Sequence, residues 1–340
     1  MKVKRLFVMG LVVMFLLVSF TQSLFAQQKE KILLYTSVPT NIMSAIEEEF
    51  EKENPDVDLE FVRAGTGQIK TRIITECEAG RIEADLIWVA EFSYYEDLKE
   101  LTVGETKGLL LRYESPKAKG IPTSLKDSEG YYYGARMINE VIAYNTNLVS
   151  DPPRTWEDLL DPKWKDQVAL ADVSYSGAAL VAMGALTEKY GIEYYQKLRE
   201  NGTAVLQAHG GLTQSIAAGE YKVGMSLDYM IRQQKEAGSP INLIYPEDGA
   251  IAIPSPIAIV ATTEHPDAAK KFVDYILSVN GQLAQVKLGS TIPVRPEIVP
   301  PLGAPSLNQL LEKSIPVDYE YIRSNAGYLT SQFTEILLAP

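Results

Sequence analysis

The opening third of the chain alternates between short apolar runs and amphipathic segments. The runs at residues 31–35, 57–62 and 85–89 have the length of strands. Between them, apolar residues recur every three or four positions, first from Ile42 to Phe50 and then from Ile69 to Cys77, as on helices with one buried face. Strands alternating with helices at this spacing predict an α/β fold in which helices cover a parallel sheet.

A second alternating region follows, with strands predicted at residues 167–171, 204–207 and 223–227. Two extended segments flank it, a strand-rich one at 131–145 and an apolar one at 251–261. We interpret these segments as crossings between two lobes that close about a hinge, because the chain is long for one hydrophobic core. The predicted boundaries are 27–135 plus 256–305 for a discontinuous lobe 1, 136–255 for lobe 2, and 306–340 for terminal helices packing on the lobes. Two sequential, independent domains are the alternative.

The first 26 residues have the pattern of a secretory signal peptide. Lys2, Lys4 and Arg5 precede an apolar run from residue 6 to about 20, and Ala26 ends a short polar region. The run is shorter than the roughly 20 apolar residues of a membrane-spanning helix, although a retained anchor is the alternative. We therefore expect cleavage near Gln27 and a periplasmic location.

Charge and composition narrow the function classes. The formal net charge of the full chain is −12 and becomes −15 without the three signal cations, which argues against nucleic-acid binding. Cys77 is the single cysteine and is expected on a buried helix face, so no intramolecular disulfide forms. The two histidines, His209 and His265, are far apart in sequence, and no nucleophile elbow, phosphate-binding Walker loop or zinc motif occurs. We expect no enzymatic activity and no cofactor.

Small and hydroxyl-bearing residues follow several predicted strands just before a helix. Glycine allows close approach of a ligand to the backbone, while hydroxyls and free N–H groups at helix starts bind anions. Arg63 and Arg136 would add positive charge. Simple helix capping is the alternative for each turn. The candidate ligand-binding residues in these turns are Thr36, Ser37, Gly65, Thr66, Gly67, Ser174, Ser176 and Gly177, and a further turn contains Gly210 and Gly211.

Asp228 and Tyr229 follow the predicted strand at 223–227. A carboxylate at this place would accept hydrogen bonds from a sugar hydroxyl or an amine, or would join a phenolate in binding a hard metal ion. The alternative is that Asp228 caps the following helix.

Several motifs together resemble periplasmic solute-binding proteins of the ferric-iron type, which serve ABC importers. The matching segments include Leu34–Ser37, Gly65–Gly67, Val141–Asn145, the run from Pro153 to Trp164 and Pro266–Phe272. The resemblance implies a type II two-lobed binding-protein fold with two connecting strands that form the hinge. It also implies a ligand in the cleft and an ABC permease with its ATPase as partners. We expect a monomer, and a sensory role in place of transport stays open.

The departures from the ferric pattern concern the ligand. Iron-binding relatives typically have adjacent tyrosines where this chain has Asp228 and Tyr229, so Tyr229, Glu91 and Tyr175 are the only iron-ligand candidates. Relatives in the same branch that bind phosphorylated sugars or phosphonates without metal match the hydroxyl- and glycine-rich loops better. We therefore predict binding of a small organic anion that carries a phosphate or phosphonate, with Glu91 and Arg136 also at the site. Ferric iron is the alternative.

Overall fold

A computed structural model describes residues 29–339, so the predicted signal peptide lies outside the described residues. Its nine-stranded sheet has the order β2-β1-β3-β11-β6-β9-β7-β8, and β10 pairs with one end of β6. The alternation of strands and helices predicted from the sequence is confirmed. The strands of this sheet are β1 Glu30–Thr36, β2 Val57–Arg63, β3 Leu86–Trp88, β6 Tyr132–Asn145, β7 Val168–Ala171, β8 Ala204–Leu206, β9 Val223–Leu227, β10 Ile241–Ile244 and β11 Ile251–Ile259, while β4 Thr102–Val103 and β5 Thr106–Lys107 form a separate hairpin.

Eleven helices in the described residues cover the sheet. They are α1 Thr40–Glu53, α2 Thr66–Glu78, α3 Tyr94–Glu100, α4 Gly177–Tyr190, α5 Glu193–Glu200, α6 His209–Ala218, α7 Asp228–Glu236, α8 Pro266–Leu277, α9 Val279–Gly289, α10 Leu307–Lys313 and α11 Tyr319–Phe333, the last continued by a π-helical turn at Thr334–Leu338. Short 3-10 turns occur at Pro116–Ala118, Thr123–Leu125, Glu157–Leu160 and Pro162–Trp164.

In the first half of the sheet, β1 lies between β2 and β3, and all three strands are parallel. Helix α1 packs on one face, where Phe50 meets Phe272 of α8 edge to face with ring centroids 5.0 Å apart. Helix α2 covers the other face through Ile69, Ile73 and Cys77. Cys77 is buried as predicted, and that burial raises the pKa of its thiol.

Strands β6 and β11 connect the two halves. They pair antiparallel from residue 132 to 140 of β6, and β11 also pairs with β3 of the first half. The remaining end of β6 pairs with β9 and β10 of the second half. Their positions agree with the two extended segments that the sequence predicts as crossings. Both strands are buried along nearly their whole length.

The second half repeats the parallel pattern with β9, β7 and β8. Helix α4 is its central helix, because ten consecutive residues from Gly177 to Leu186 are buried. Helix α11 covers α4 so closely that a Cβ on Gly184 would lie 2.5 Å from Ile322.

Helix α11 also contacts the first half of the molecule. Tyr319 packs against Phe92, and Arg323 forms an ion pair of 2.6 Å with Asp97. None of the helices in residues 29–339 has the length and apolar character needed to cross a membrane.

Candidate functional site

A cavity of about 50 Å³ lies where the loops after β1 and β2 face the loops after β7, β8 and β9. This is the carboxyl end of the parallel strands, where α/β sheets bind their ligands. Ser37, Arg63, Gly65 and Thr66 line it from the first half, Tyr175, Ser176, His209 and Tyr229 line it from the second, and Arg136 of β6 lies between them. No carboxylate of the described residues lines the cavity, so its charge is positive.

Arg136 lies on β6, one of the two strands that connect the halves. Its residue is only 2% exposed, and it forms no ion pair within the described residues. Its guanidinium carbon lies 5.1 Å from the Tyr229 ring centroid and 5.6 Å from that of Trp88. Its Nε and Nη1 have no hydrogen-bond partner in the described part of the chain. A buried cation with unpaired donors is costly unless an anion completes it.

The tyrosines in the cavity stand beside these cations. Burial raises the pKa of Tyr229, although Arg136 and Arg63 act in the opposite direction, so Tyr229 is a neutral phenol able to donate a hydrogen bond. Arg63 contacts the Tyr175 hydroxyl with its Nη1 at 3.4 Å, across the two halves. Burial lowers the pKa of Arg136, and Tyr229 opposes that effect.

The two hydroxyl-bearing residues of the loop after β1, Thr36 and Ser37, have different roles. Thr36 is fully buried, and its hydroxyl donates to the Trp88 carbonyl at 2.9 Å and accepts from the Val38 amide. Ser37 accepts from the Ala90 amide at 3.1 Å and still lines the cavity. Thr36 therefore shapes the loop, and Ser37 is the hydroxyl that a solute can reach.

The two halves touch beside the cavity through glycines. The Gly67 amide donates to the Tyr175 carbonyl at 3.3 Å, and a Cβ on Gly67 would overlap the Ser174 carbonyl oxygen. A Cβ on Gly65 would lie 2.7 Å from the Tyr175 ring, and one on Gly177 would lie 2.8 Å from the Ala90 carbonyl. These glycines are therefore needed for the close approach of the halves, whereas Gly67 and Gly177 do not line the cavity themselves.

Ser176 begins a chain of polar contacts that leads away from the cavity. It caps α4 by accepting from the Ala179 amide at 3.3 Å, and its Oγ lies 3.2 Å from Nδ1 of His209. Nε2 of His209 lies 3.1 Å from the carboxylate of Glu140. His209 and Glu140 are 3% and 2% exposed. No sequence pattern connects them, because Glu140 lies 69 positions earlier on another element.

Asp228 lies outside the cavity lining, at the start of α7, where it contacts Asn139 of β6. Its carboxylate is fully buried and accepts from the Asn139 backbone and side chain, the Tyr229 amide, Arg232 and the Tyr245 hydroxyl. These five donors occupy its lone pairs, so Asp228 has no capacity left for a solute. Asp228 is the first residue of α7 and Leu227 occupies the cap position without a side-chain cap, so the alternative interpretation of Asp228 as the helix cap is wrong as well.

Glu91 is also committed to the protein. It is 2% exposed and forms an ion pair of 2.7 Å with Lys70. Burial raises the pKa of Glu91, and Lys70 opposes that rise. Ser174 is a further candidate that does not line the cavity, since its side chain is exposed and its hydroxyl donates to Asp172 at 2.7 Å.

The predicted residues thus divide into two groups. Those that line the cavity are Ser37, Arg63, Gly65, Thr66, Arg136, Tyr175, Ser176, Gly210 and Tyr229, and those that do not are Thr36, Gly67, Glu91, Ser174, Gly177, Gly211 and Asp228. His209 lines it although the sequence analysis gave it no role. The adjacent Gly210 turn was the only signal that pointed to this loop.

Comparison with known proteins identifies the family. A family model described as bacterial extracellular solute-binding protein matches residues 84–325, which is well over half of the chain. A putative 2-aminoethylphosphonate-binding periplasmic protein of Salmonella typhimurium is 25% identical over 204 residues, covering 56% of this chain and 59% of that protein.

Solved structures of the same fold include binding proteins for two kinds of solute. The periplasmic binding protein AfuA of Actinobacillus pleuropneumoniae, with fructose-6-phosphate bound, superposes with a TM-score of 0.80 at 24% identity, covering 92% of this chain and all of that one. Iron-bound HitA of Pseudomonas aeruginosa superposes with a TM-score of 0.76 at 21% identity, covering 89% and 99%. These likenesses confirm the type II periplasmic-binding-protein fold predicted from the sequence.

Proposed function

Because the chain belongs to the bacterial extracellular solute-binding protein family, whose members deliver small molecules to ABC importers, we propose that its cavity binds a small phosphorylated sugar or a phosphonate. Arg136 carries the proposal. Its guanidinium is buried with two donor atoms unpaired, and an oxyanion is the partner that such a group requires. Arg63 and the neutral phenol of Tyr229 add donors on either side.

The donor set favours an anion over ferric iron. Of the three iron-ligand candidates, Tyr229 and Tyr175 stand beside arginines and Glu91 is paired with Lys70. The described residues contain no cluster of three histidine, cysteine, aspartate or glutamate side chains able to hold a metal ion. A bare cation at this place would face two arginines without a carboxylate to offset them.

The size of the cavity supports a compact anionic group. A volume of about 50 Å³ corresponds to a few water-sized positions, which suits a phosphate or phosphonate group. The rest of a solute would extend between the loops of the two halves. In this proposal the protein works in the periplasm as a monomer, with an ABC permease and its ATPase as partners, and it is not an enzyme.

A thermal-shift and calorimetry screen tests the proposal. The panel contains fructose 6-phosphate, 2-aminoethylphosphonate, inorganic phosphate and ferric citrate, with fructose and ethanolamine as matched solutes that lack the anion. We expect the organic phosphate or phosphonate to raise the melting temperature, because a solute that binds only the folded state stabilises it. The matched solutes should give no shift. A visible tyrosinate band with ferric citrate, and no shift with any phosphorus compound, would contradict the proposal.

A further inference from the structure

The polar chain Ser176–His209–Glu140 lies at the wall of the cavity, and the order of its hydrogen bonds follows from the chemistry of its ends. An ionised carboxylate accepts hydrogen bonds but donates none, so Nε2 of His209 carries the hydrogen that faces Glu140 at 3.1 Å. Nδ1 then faces Ser176 Oγ at 3.2 Å, and the protonation of Nδ1 decides which of the two atoms donates.

Ser176 therefore offers the cavity one of two different groups. When Nδ1 is bare, the hydroxyl donates to it, and only an oxygen lone pair is left for a solute. When Nδ1 is protonated, the Ser176 oxygen accepts from both His209 and the Ala179 amide, and its hydrogen is free to donate into the cavity. An oxyanion needs the second arrangement, since a lone pair would repel it.

The charges around His209 connect the protonation of its Nδ1 to the binding of the solute. On one side, His209 faces Glu140 of β6, and Tyr195 of α5 lies beside that carboxylate. On the other side, across the cavity, it faces Arg63, Arg136, Tyr175 and Tyr229. The two arginines and the N-terminus of α4 place positive charge on the cavity side of the imidazole. An oxyanion between them neutralises part of that charge, and the carboxylate of the buried Glu140 lies on the other side of the ring.

We propose that His209 is a positioning residue for the solute, which acts through Ser176 and takes up a proton at Nδ1 when a fully ionised oxyanion binds. The proton comes from solvent, no covalent bond forms, and the Ser176 hydroxyl turns from Nδ1 to the oxyanion. This inference rests on the proposed function. It makes the wall of the cavity selective for a group that only accepts hydrogen bonds.

Calorimetry in two buffers of different ionisation enthalpy at neutral pH measures the protons taken up per molecule of fructose 6-phosphate or 2-aminoethylphosphonate. Both solutes exchange protons of their own, so the informative quantity is the difference between the wild type and His209→Gln, whose amide still donates to Glu140 and does not titrate. We expect the wild type to take up more, by as much as about one proton. Ser176→Ala should behave like His209→Gln, because it keeps the imidazole but removes the link.

Nitrogen NMR of histidine-labelled wild-type protein gives the same answer without a substitution. The chain has only two histidines, and His265 lies at the surface beside Glu30, so it serves as an internal reference. We expect the solute to move the His209 signals towards the imidazolium pattern and leave those of His265 unchanged. Binding with no change in His209 protonation, or equal proton uptake in all three proteins, overturns this inference and leaves the proposed function standing. Absence of binding by both solutes overturns the proposed function itself.

Discussion

Two buried arginines close to the hinge differ in their partners, because within the described part of the chain one is paired with a carboxylate and the other is not. Arg232 of α7 is 5% exposed and donates to Asp228 at 2.8 Å, to the Tyr245 hydroxyl at 2.9 Å and to the Ser290 carbonyl at 2.8 Å. Arg136 of β6 is 2% exposed and has aromatic rings beside it, and no carboxylate in residues 29–339 forms an ion pair with it.

The difference also appears in the directions of their pKa values. Burial alone would lower the pKa of Arg232, but Asp228 and Tyr245 raise it above its ordinary value. Burial lowers the pKa of Arg136, and the opposing effects of Tyr229 and Asp228 offset only part of that lowering. A buried charge with a structural role is paired with an opposite charge of the same protein, which offsets the cost of its burial. When the protein supplies no such partner, we expect a bound solute to supply it.

Arg232→Met should have the largest effect, on stability. It leaves the Asp228 carboxylate buried without its cation, which typically costs about 3–5 kcal/mol. Urea unfolding followed by circular dichroism measures the loss. The double variant Asp228→Asn/Arg232→Met should recover part of it, since no buried charge is left. An unchanged unfolding midpoint in Arg232→Met would contradict the structural role of this pair.

Arg136→Met should change binding and leave the unfolding midpoint the same or slightly higher. Removing one partner of a buried charged hydrogen bond costs about 2–5 kcal/mol of binding, so we expect the affinity for fructose 6-phosphate or 2-aminoethylphosphonate to fall about 100-fold. Calorimetry measures the affinity. If Arg136→Met destabilises the protein as much as Arg232→Met does, Arg136 has a structural role like that of Arg232, and the proposed difference between them is wrong.

Gly67→Ala tests whether the two halves must meet for the arginines to act together. The added methyl group would overlap the Ser174 carbonyl oxygen, and overpacking of about 1–3 kcal/mol corresponds to roughly a 10-fold loss of affinity. Gly327→Ala in α11 is the matched control, because no described atom lies within 4 Å of a Cβ there. Equal affinities in the two variants would show that this contact is not needed for binding.

Arg63→Gln should have the smallest effect. Arg63 is exposed, so its charge contributes only about 0.3–1 kcal/mol and is screened by salt. Titrations at low and high ionic strength should show the difference between Arg63→Gln and wild type disappear as salt rises. The deficit of Arg136→Met should persist in high salt, because that charge is buried. A salt-independent deficit in Arg63→Gln would indicate a buried contact that the structure does not contain.

The sequence predicts the fold well because the fold depends on local patterns. The segment at 131–145 is rich in strand-forming residues, the segment from 251 is mostly apolar, and Ser176 followed by Gly177 has the composition of a helix start. These features are visible in any short window of the chain. The family motifs then add the arrangement of the lobes.

The site is predicted less well, because partners are decided by distant residues. By residue type Asp228 is a candidate ligand, but in the structure its carboxylate accepts hydrogen bonds from Asn139 and Tyr245. Glu91 is a candidate for the same reason, but it is paired with Lys70. His209 looks isolated until the fold brings Glu140 to one nitrogen and Ser176 to the other. Residue type indicates what a side chain is able to bind, and only the tertiary structure shows what it already binds.

The position of β11 also has a consequence for how the protein folds. This strand lies between β3 and β6, yet it is synthesised after both of them. The central pairings of the sheet therefore form only once residue 259 is available, and they join segments more than 100 positions apart. Contacts of such long range slow folding, so the chain should stay unfolded for longer than a protein whose neighbouring strands follow one another. That delay is compatible with passage through a membrane before folding.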